Sequence, residues 1–490
     1  MSAVDPASVA AICIKNLVNR SQTVTVKELG EIQYTAPGSL YPYAWGWDAA
    51  VHAIGYSYFS VERALDELMA SVGGQAANGM VPHITFYNHS PDKQYYPGPT
   101  SWRNLSQHGV SISGISQPPL MGVALDTIVN RIRKDPALSL EDYAERIHVL
   151  MDSVLAYHRW WYTERDLHGT GVVVSTHPWE TGMDNSGAWI AALERVPVDN
   201  VEAYTRVDVK PDGSNTGERP TNLFYDQATA LMQYQRDNGY SFLDENGAIQ
   251  PHVVSKQSWQ MGDIGINSIL QNANHALSRV AEALGRETDQ GQIAGWIERL
   301  RSGMERLLWN QDLGVYVSYD FVAQAQVPVV TSGSFLAFYG LCGDAAKRSR
   351  MATRLEDWQV EKKVCYLVPS TSPEDTLFNP VKYWLGPVWP HVNTMIAQGL
   401  HACGQSDTAK RVVSDTLELL EQYGLKEYYN PLEDEKCTSP RGLGAGDFGF
   451  SSAVYPQLLE MAHELGIKRR LATPSSSQYA AMYEFVKKSL

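Results

Sequence analysis

An all-α fold, a twelve-helix (α/α)6 toroid forming one domain over residues 1–490, is what three observations in this sequence predict. Apolar residues recur at spacings of three and four through a long series of segments, as they do in helices with one buried stripe. No convincing run of strands interrupts them. The connections are very unequal, with long insertions at about 73–117, 164–184, 360–389 and 427–448. In a ring of helical hairpins alternate connections open on the same face, so one face carries all the elaborated loops and forms a single cleft.

Taken in order, the periodic segments are 6–18, a helical pattern just after Asp48, and 61–72, which stops at Gly73 and Gly74. They continue through 120–132, 140–163, 185–196, 221–238, 267–284 and 289–309. The last are 333–339, 344–358, 390–403, 408–423, 451–465 and one from Tyr479. Gly285, Gly424 and Gly466 stand where C-terminal caps belong. The first twenty residues lack a basic start before their apolar run, so no signal peptide is expected. No stretch reaches the ~20 apolar residues of a membrane span.

Composition narrows the partners. A net charge of -14 without a basic stripe argues against nucleic acid, and an acidic surface suits a soluble cytosolic enzyme. A homo-oligomer is allowed for. The five cysteines are widely spaced with no C-x-x-C pair, so neither a disulfide framework nor a zinc site is expected. His83, His89 and His108 show no metal-ligand spacing and read as ordinary loop histidines. Gly442, Gly444 and Gly446 are not a dinucleotide fingerprint, because no strand precedes them, and they read as hinges of a movable flap. Neither metal nor cofactor is expected. The 13 Trp and 26 Tyr are a heavy aromatic load that points to aromatic surface in a cleft.

The stretch 177–189, HPWETGMDNSGAW, concentrates the chemistry. Trp179 offers a flat face for a pyranose ring, and Glu180 and Asp184 offer carboxyl groups to hold hydroxyls or move protons. Its apolar positions follow neither period, so it reads as a loop entering a helix near Asn185 or Ser186; helix capping is the bland alternative. Tyr43, Trp45, Trp47 and Asp48 crowd the start of another helical pattern, where Asp48 is either a cap or a hydroxyl-binding carboxylate. Tyr95 and Tyr96, with Gln117, fall in and at the end of the long irregular region 73–117. Arg219 and Tyr225 lie at a helix start, and Tyr383, Trp384, Gly386 and Trp389 form a turn-rich aromatic platform. Glu427 follows a helix end beside Tyr428 and Tyr429.

The motifs W-x-W-D, E-T-G-M-D-N-S, Y-W-x-G-P-V-W and E-Y-Y-N-P occur in that order between about residues 41 and 455. Together they resemble glycoside hydrolase family 63, in particular its bacterial and plant branch of glucosylglycerate and mannosylglycerate hydrolases. There is no room for the N-terminal β-domain of that family's larger processing glucosidases. The resemblance implies an (α/α)6 barrel and an inverting two-carboxylate hydrolysis of a small α-glycoside, with Asp184 as general acid and Glu427 as general base. An acid protonated near neutral pH needs apolar or negative surroundings, which Trp179, Met183 and Glu180 are placed to supply. Arg219 and Tyr225 fall where the resembling hydrolases bind a carboxylate and hydroxyls, and Tyr95 or Tyr96 adds a phenolic donor. Leu385 departs from the family, which commonly carries Arg there. Two alternatives stay open: an α-glucosidase for neutral disaccharides or short oligosaccharides, and a sugar epimerase or isomerase working through His177 and His391.

Overall fold

A computed structural model describes residues 5–90, 95–210, 212–244, 246–250, 259–361, 364–432, 441–469 and 473–489. Cys437 lies outside them, as do parts of the insertions at 73–117, 360–389 and 427–448. Helices dominate: α1 (Pro6–Asn19), α2 (Gly46–Tyr56), α3 (Val61–Gly73), the one-turn α4 (Pro99–Trp102), α5 (Met121–Lys134) and α6 (Ala144–Trp160). They are followed by the one-turn α7 (Ile190–Leu193), α8 (Asn222–Asp237), α9 (Ile264–Ala283) and α10 (Glu287–Leu307). The series closes with α11 (Ser332–Tyr339), α12 (Ala345–Glu361), α13 (Pro390–Ala402), α14 (Ser406–Tyr423), α15 (Gly449–Glu464) and α16 (Ser476–Ser489). No helix among the described residues is long and apolar enough to cross a membrane.

Helix starts follow side-chain chemistry. Asp5 accepts from the Ala7 N–H ahead of Pro6, Ser60 from Arg63, Thr221 from Phe224, and Asp263 from Gly265 and Ile266. Each satisfies N–H groups that the first turn leaves without partners. Burial then sorts the helices. All eight residues of α11 are buried, and α2, α9, α13 and α15 are buried over most of their surface; a helix apolar all round belongs inside. In α10 the buried residues are Ile293, Trp296, Leu300, Gly303 and Met304, a single stripe of the kind that covers a core from outside. Helices α2, α5, α9, α11, α13 and α15 each pack on the next, and α15 packs back on α2. Helix α1 packs on α15, α3 on α2, α6 on α5 and α9, α10 on α9, and α14 on α13 and α15, while α12 packs on α14.

Three expectations need correction. Strands do occur: Ser21–Val26 pairs antiparallel with Gly30–Thr35, and several sheets of very short strands line the connections. Two- to six-residue strands are too short for a periodicity to show against a helical background. The helix expected over 185–196 is only a tight turn, Gly187–Trp189, followed by α7. Ser186 caps that turn, and the Trp189 indole donates back to the Met183 carbonyl at 2.8 Å, which curls the chain rather than extending it. Finally, the glycine-rich stretch is no free flap: Gly442–Gly446 is a strand paired antiparallel with Lys426–Tyr429.

Candidate active site

One aromatic-walled cavity gathers residues from insertions far apart in sequence. Trp45, Trp47 and Asp48 come from the start of α2, Tyr95, Tyr96 and Gln117 from the long loop after α3, and Trp179 and Asp184 from the 177–189 stretch. Arg219 and Tyr225 enter from the start of α8, Tyr383, Trp384 and Trp389 from the segment before α13, and Glu427 from the strand after α14. The stretches hold one another in place. Asn185 Oδ1 accepts from the Trp384 N–H at 3.0 Å, and the Trp384 and Trp389 rings stack 3.9 Å apart. Gly182 has φ +71°, and a Cβ there would stand 2.8 Å from the Trp47 ring, so glycine lets the loop pass against that indole.

Helix α2 begins at Gly46, so Trp47 and Asp48 lie within its first turn rather than ahead of it. The cap is supplied from elsewhere: Gln117 Oε1 accepts from the Trp47 N–H at 3.1 Å. Asp48 lines the cavity, and burial, with the Glu427 charge adding, pushes its carboxyl well above the ordinary range against the pull of its own backbone N–H. Asp184 is half-buried, facing the cavity. Burial pushes it up to about 7, the charges of Glu427 and Asp208 reinforce this, and its own backbone N–H and Arg219 pull the other way.

Glu427 is held by four donors. Tyr41 Oη donates to Oε1 at 3.0 Å, Arg219 Nη1 to Oε1 at 3.3 Å, Arg219 Nη2 to Oε2 at 2.9 Å, and the Ala445 N–H to Oε2 at 2.9 Å. Arg219 also donates to Tyr41 Oη at 3.0 Å. The last donor explains the glycines: Gly444 has φ +69°, and a Cβ there would meet Glu427 Oε2 at 2.5 Å. Close approach of the strand backbone to the carboxylate, not hinge motion, requires glycine at that position.

Several expected site residues lie elsewhere. Glu180 is fully buried and accepts from the Ser116 N–H at 3.0 Å, the Thr176 N–H at 2.8 Å and Arg165 at 3.3 Å. It braces the loop from behind and neither lines the cavity nor contributes to the raised pKa of Asp184. Because one charge of a buried pair would be left unmatched, Glu180→Ala is expected to lower stability by about 3 kcal/mol. Denaturant melts would show this loss, while turnover per folded molecule changes far less than for a change at Asp184. Tyr43 sits behind Trp45, its hydroxyl on His89 Nδ1 at 2.8 Å. Gly386 donates to Ser370 Oγ at 2.9 Å and has Asn379 packed against its Cα, away from the cavity. Leu385 does not line the cavity either. His177 donates to the Ala228 carbonyl and accepts from Trp179 N–H, and His391 is buried against Phe450 at 3.9 Å. Burial pushes both well below the usual histidine range, to about 4 and about 3, and neither faces the cavity.

Arg219 corrects another expectation. Its fork is engaged by Glu427, so it is a fixed partner of that carboxylate rather than a free cation awaiting an anion.

Sequence reasoning missed Tyr41, His83 and Asp208, all cavity-lining. Tyr41 stands in the dense aromatic run ending at Trp47, which was a usable signal. His83 is kept neutral by burial, which pushes it down to about 3. Asp208 sits in a polar stretch with nothing in the sequence to mark it.

A family model, the mannosylglycerate hydrolase MGH1-like glycoside hydrolase domain, matches residues 41–451. A mannosylglycerate hydrolase of Thermus thermophilus is 39% identical over 86% of this chain and 95% of its own length. A glucosylglycerate hydrolase of Mycolicibacterium hassiacum is 30% identical over 84% of this chain and 92% of its own. The crystal structure of the family 63 mannosylglycerate hydrolase of Thermus thermophilus with Tris and D-glycerate superposes with a TM-score of 0.78 at 35% identity, covering 91% of this chain and 98% of that one.

Proposed function

The chain belongs to the mannosylglycerate hydrolase MGH1-like glycoside hydrolases, within glycoside hydrolase family 63, and on that premise we propose that it releases glucose or mannose from glucosylglycerate or mannosylglycerate by an inverting mechanism. One observation carries the reading. Two carboxyl groups on the same cavity stand in opposite settings: Asp184 is pushed up to about 7 by burial, while Glu427 receives four hydrogen bonds, two of them from a buried guanidinium. A buried carboxyl that keeps its proton near neutral pH is suited to act as the acid, and a carboxylate fixed across the same cavity to act as the base.

In this reading Asp184 protonates the glycosidic oxygen, and Glu427, with one of its four donors giving way to the nucleophilic water, takes a proton from that water as it attacks the anomeric carbon from the opposite face. Asp48 lines the same cavity with its carboxyl raised by burial, and in this reading it makes a hydrogen bond to a sugar hydroxyl. Trp45, Trp47, Trp179, Trp384 and Trp389 supply the apolar faces against which the pyranose packs, and Tyr95, Tyr96, Gln117 and Tyr225 supply polar contacts. The closed sequence α2, α5, α9, α11, α13 and α15, with α1, α3, α6, α10 and α14 packed around it, supports reading the architecture as an (α/α)6 toroid.

Proton NMR during the first minutes of turnover tests the reading. Glucosylglycerate or mannosylglycerate should be consumed, and the sugar should first appear as its β-anomer before mutarotation. First release of the α-anomer excludes inversion, and a product of unchanged mass excludes hydrolysis.

A further inference from the structure

The segment leading into α8 brings a carboxylate to the cavity that the mechanism above does not use. Asp208 is 7% exposed and lines the cavity alongside Asp184, Tyr95 and Tyr225. Its position is set on several sides. Arg206 Nε donates to Oδ1 at 3.0 Å and Nη2 to Oδ2 at 2.7 Å. The third arm of the same guanidinium, Nη1, reaches Asn222 Oδ1 at 2.9 Å in the first turn of α8. Arg206 also lies over the Tyr225 ring at 4.0 Å. The Asp208 carbonyl accepts from Asn215 Nδ2 at 2.8 Å, and Asn215 Oδ1 accepts from the Lys210 N–H at 2.8 Å. The turn is thus closed on itself, and the carboxylate is not free to swing.

An ion pair two residues apart in sequence could serve only to shape this turn. Two features go further. A carboxylate accepts about four hydrogen bonds, and Arg206 uses one lone pair on each oxygen, leaving capacity in a group that borders the cavity. The charge of Asp208 also acts on Asp184, Tyr95 and Tyr225 together, so it stands in the same part of the cavity as the proposed acid.

We propose that Asp208, clamped by Arg206, determines aglycone specificity by accepting a hydrogen bond from the aglycone's free hydroxymethyl group. This rests on the hydrolase reading given above. Glycerate linked through its 2-oxygen carries a carboxylate and a hydroxymethyl group on the same carbon. A fixed carboxylate on the wall repels the first and accepts from the second, so one orientation of the aglycone is selected. A site built to bind a substrate hydroxyl rejects the analogue that lacks it, because the polar group is left without a partner.

The test compares glucosylglycerate with glucosyl-lactate, which differs only by loss of that hydroxyl, on the parent protein, Asp208→Asn and Asp208→Ala. The parent should favour the glycerate compound by about 10- to 100-fold in kcat/KM, the range expected of a hydrogen bond to a charged group. Asp208→Ala should bring the two within about threefold of each other, and Asp208→Asn, whose amide oxygen still accepts, should fall between. Both rates come from one preparation, so misfolded protein cancels from the ratio. The unpaired Arg206 acts on two carboxylate aglycones alike and cancels as well. A ratio unchanged in Asp208→Ala, or a parent protein indifferent to the hydroxyl, overturns the inference while the hydrolase reading stands. A parent protein that cleaves a neutral disaccharide but neither glycosylated acid overturns the glycerate substrate, and the inference with it.

Discussion

Asp184→Asn is expected to lower kcat by about 10²- to 10⁴-fold and yet to leave a protein that melts higher than the parent at pH 8. The first effect follows from losing the proposed proton donor. The second follows from linkage. Burial holds the Asp184 carboxyl at about 7 in the folded chain, against 3.8 for the ordinary group, so the unfolded chain gives up this proton more readily. As pH rises from about 4 to about 7 the folded state is progressively disfavoured, and below about 4 both states hold the proton and the penalty vanishes. Asparagine carries no such penalty. The melting difference between variant and parent should therefore open as pH is raised from 4 to 8, and the parent's kcat should fall as pH rises through about 7. A variant of near-parental activity, or a melting difference that closes with rising pH, would remove Asp184 from the acid's role.

Glu427→Gln is expected to cost a similar 10²- to 10⁴-fold in kcat, with the opposite effect on stability. Arg219 is only 2% exposed along its side chain and its counter-charge is Glu427; its Nε finds no partner among the described residues. Neutralising Glu427 leaves a buried guanidinium uncompensated, a loss of about 3 kcal/mol. Adding Arg219→Gln should recover much of that stability without restoring turnover, because the double change removes the stranded charge but not the need for a base. Denaturant melts of the two single variants and the double variant separate these effects. A double variant as unstable as Glu427→Gln would show that the pair does not govern stability here, and an active Glu427→Gln would show that the base lies elsewhere.

The sequence made much of this site legible because the residues that carry it are unusual for packing. Acids beside tryptophans, as at Trp47 and Asp48 or Trp179 and Asp184, serve no helix periodicity, and their position in long insertions marks them as lining something. The same reasoning failed where residue type is ambiguous. Glu180 and Asp184 lie four residues apart in one loop, and only the chain's path decides that Glu180 turns inward to Arg165 while Asp184 turns to the cavity. Gly442, Gly444 and Gly446 read as hinges because glycine reports freedom of the backbone and not what approaches it. Asp208 and Arg206 gave no signal at all, since a charged pair in a polar segment is the ordinary composition of a surface turn.

What the sequence by itself determined is the helical architecture and the placement of the chemistry in its long connections. Both are local properties, written in the three-and-four spacing of apolar residues and in where that spacing stops. Which carboxyl keeps a proton, which is clamped by a guanidinium and which merely braces a loop were decided by tertiary structure alone. Those outcomes depend on burial and on charges brought together from positions as distant as Tyr41, Arg219 and Glu427. A carboxyl group's protonation is set by the space around it, and that space does not exist until the chain has closed.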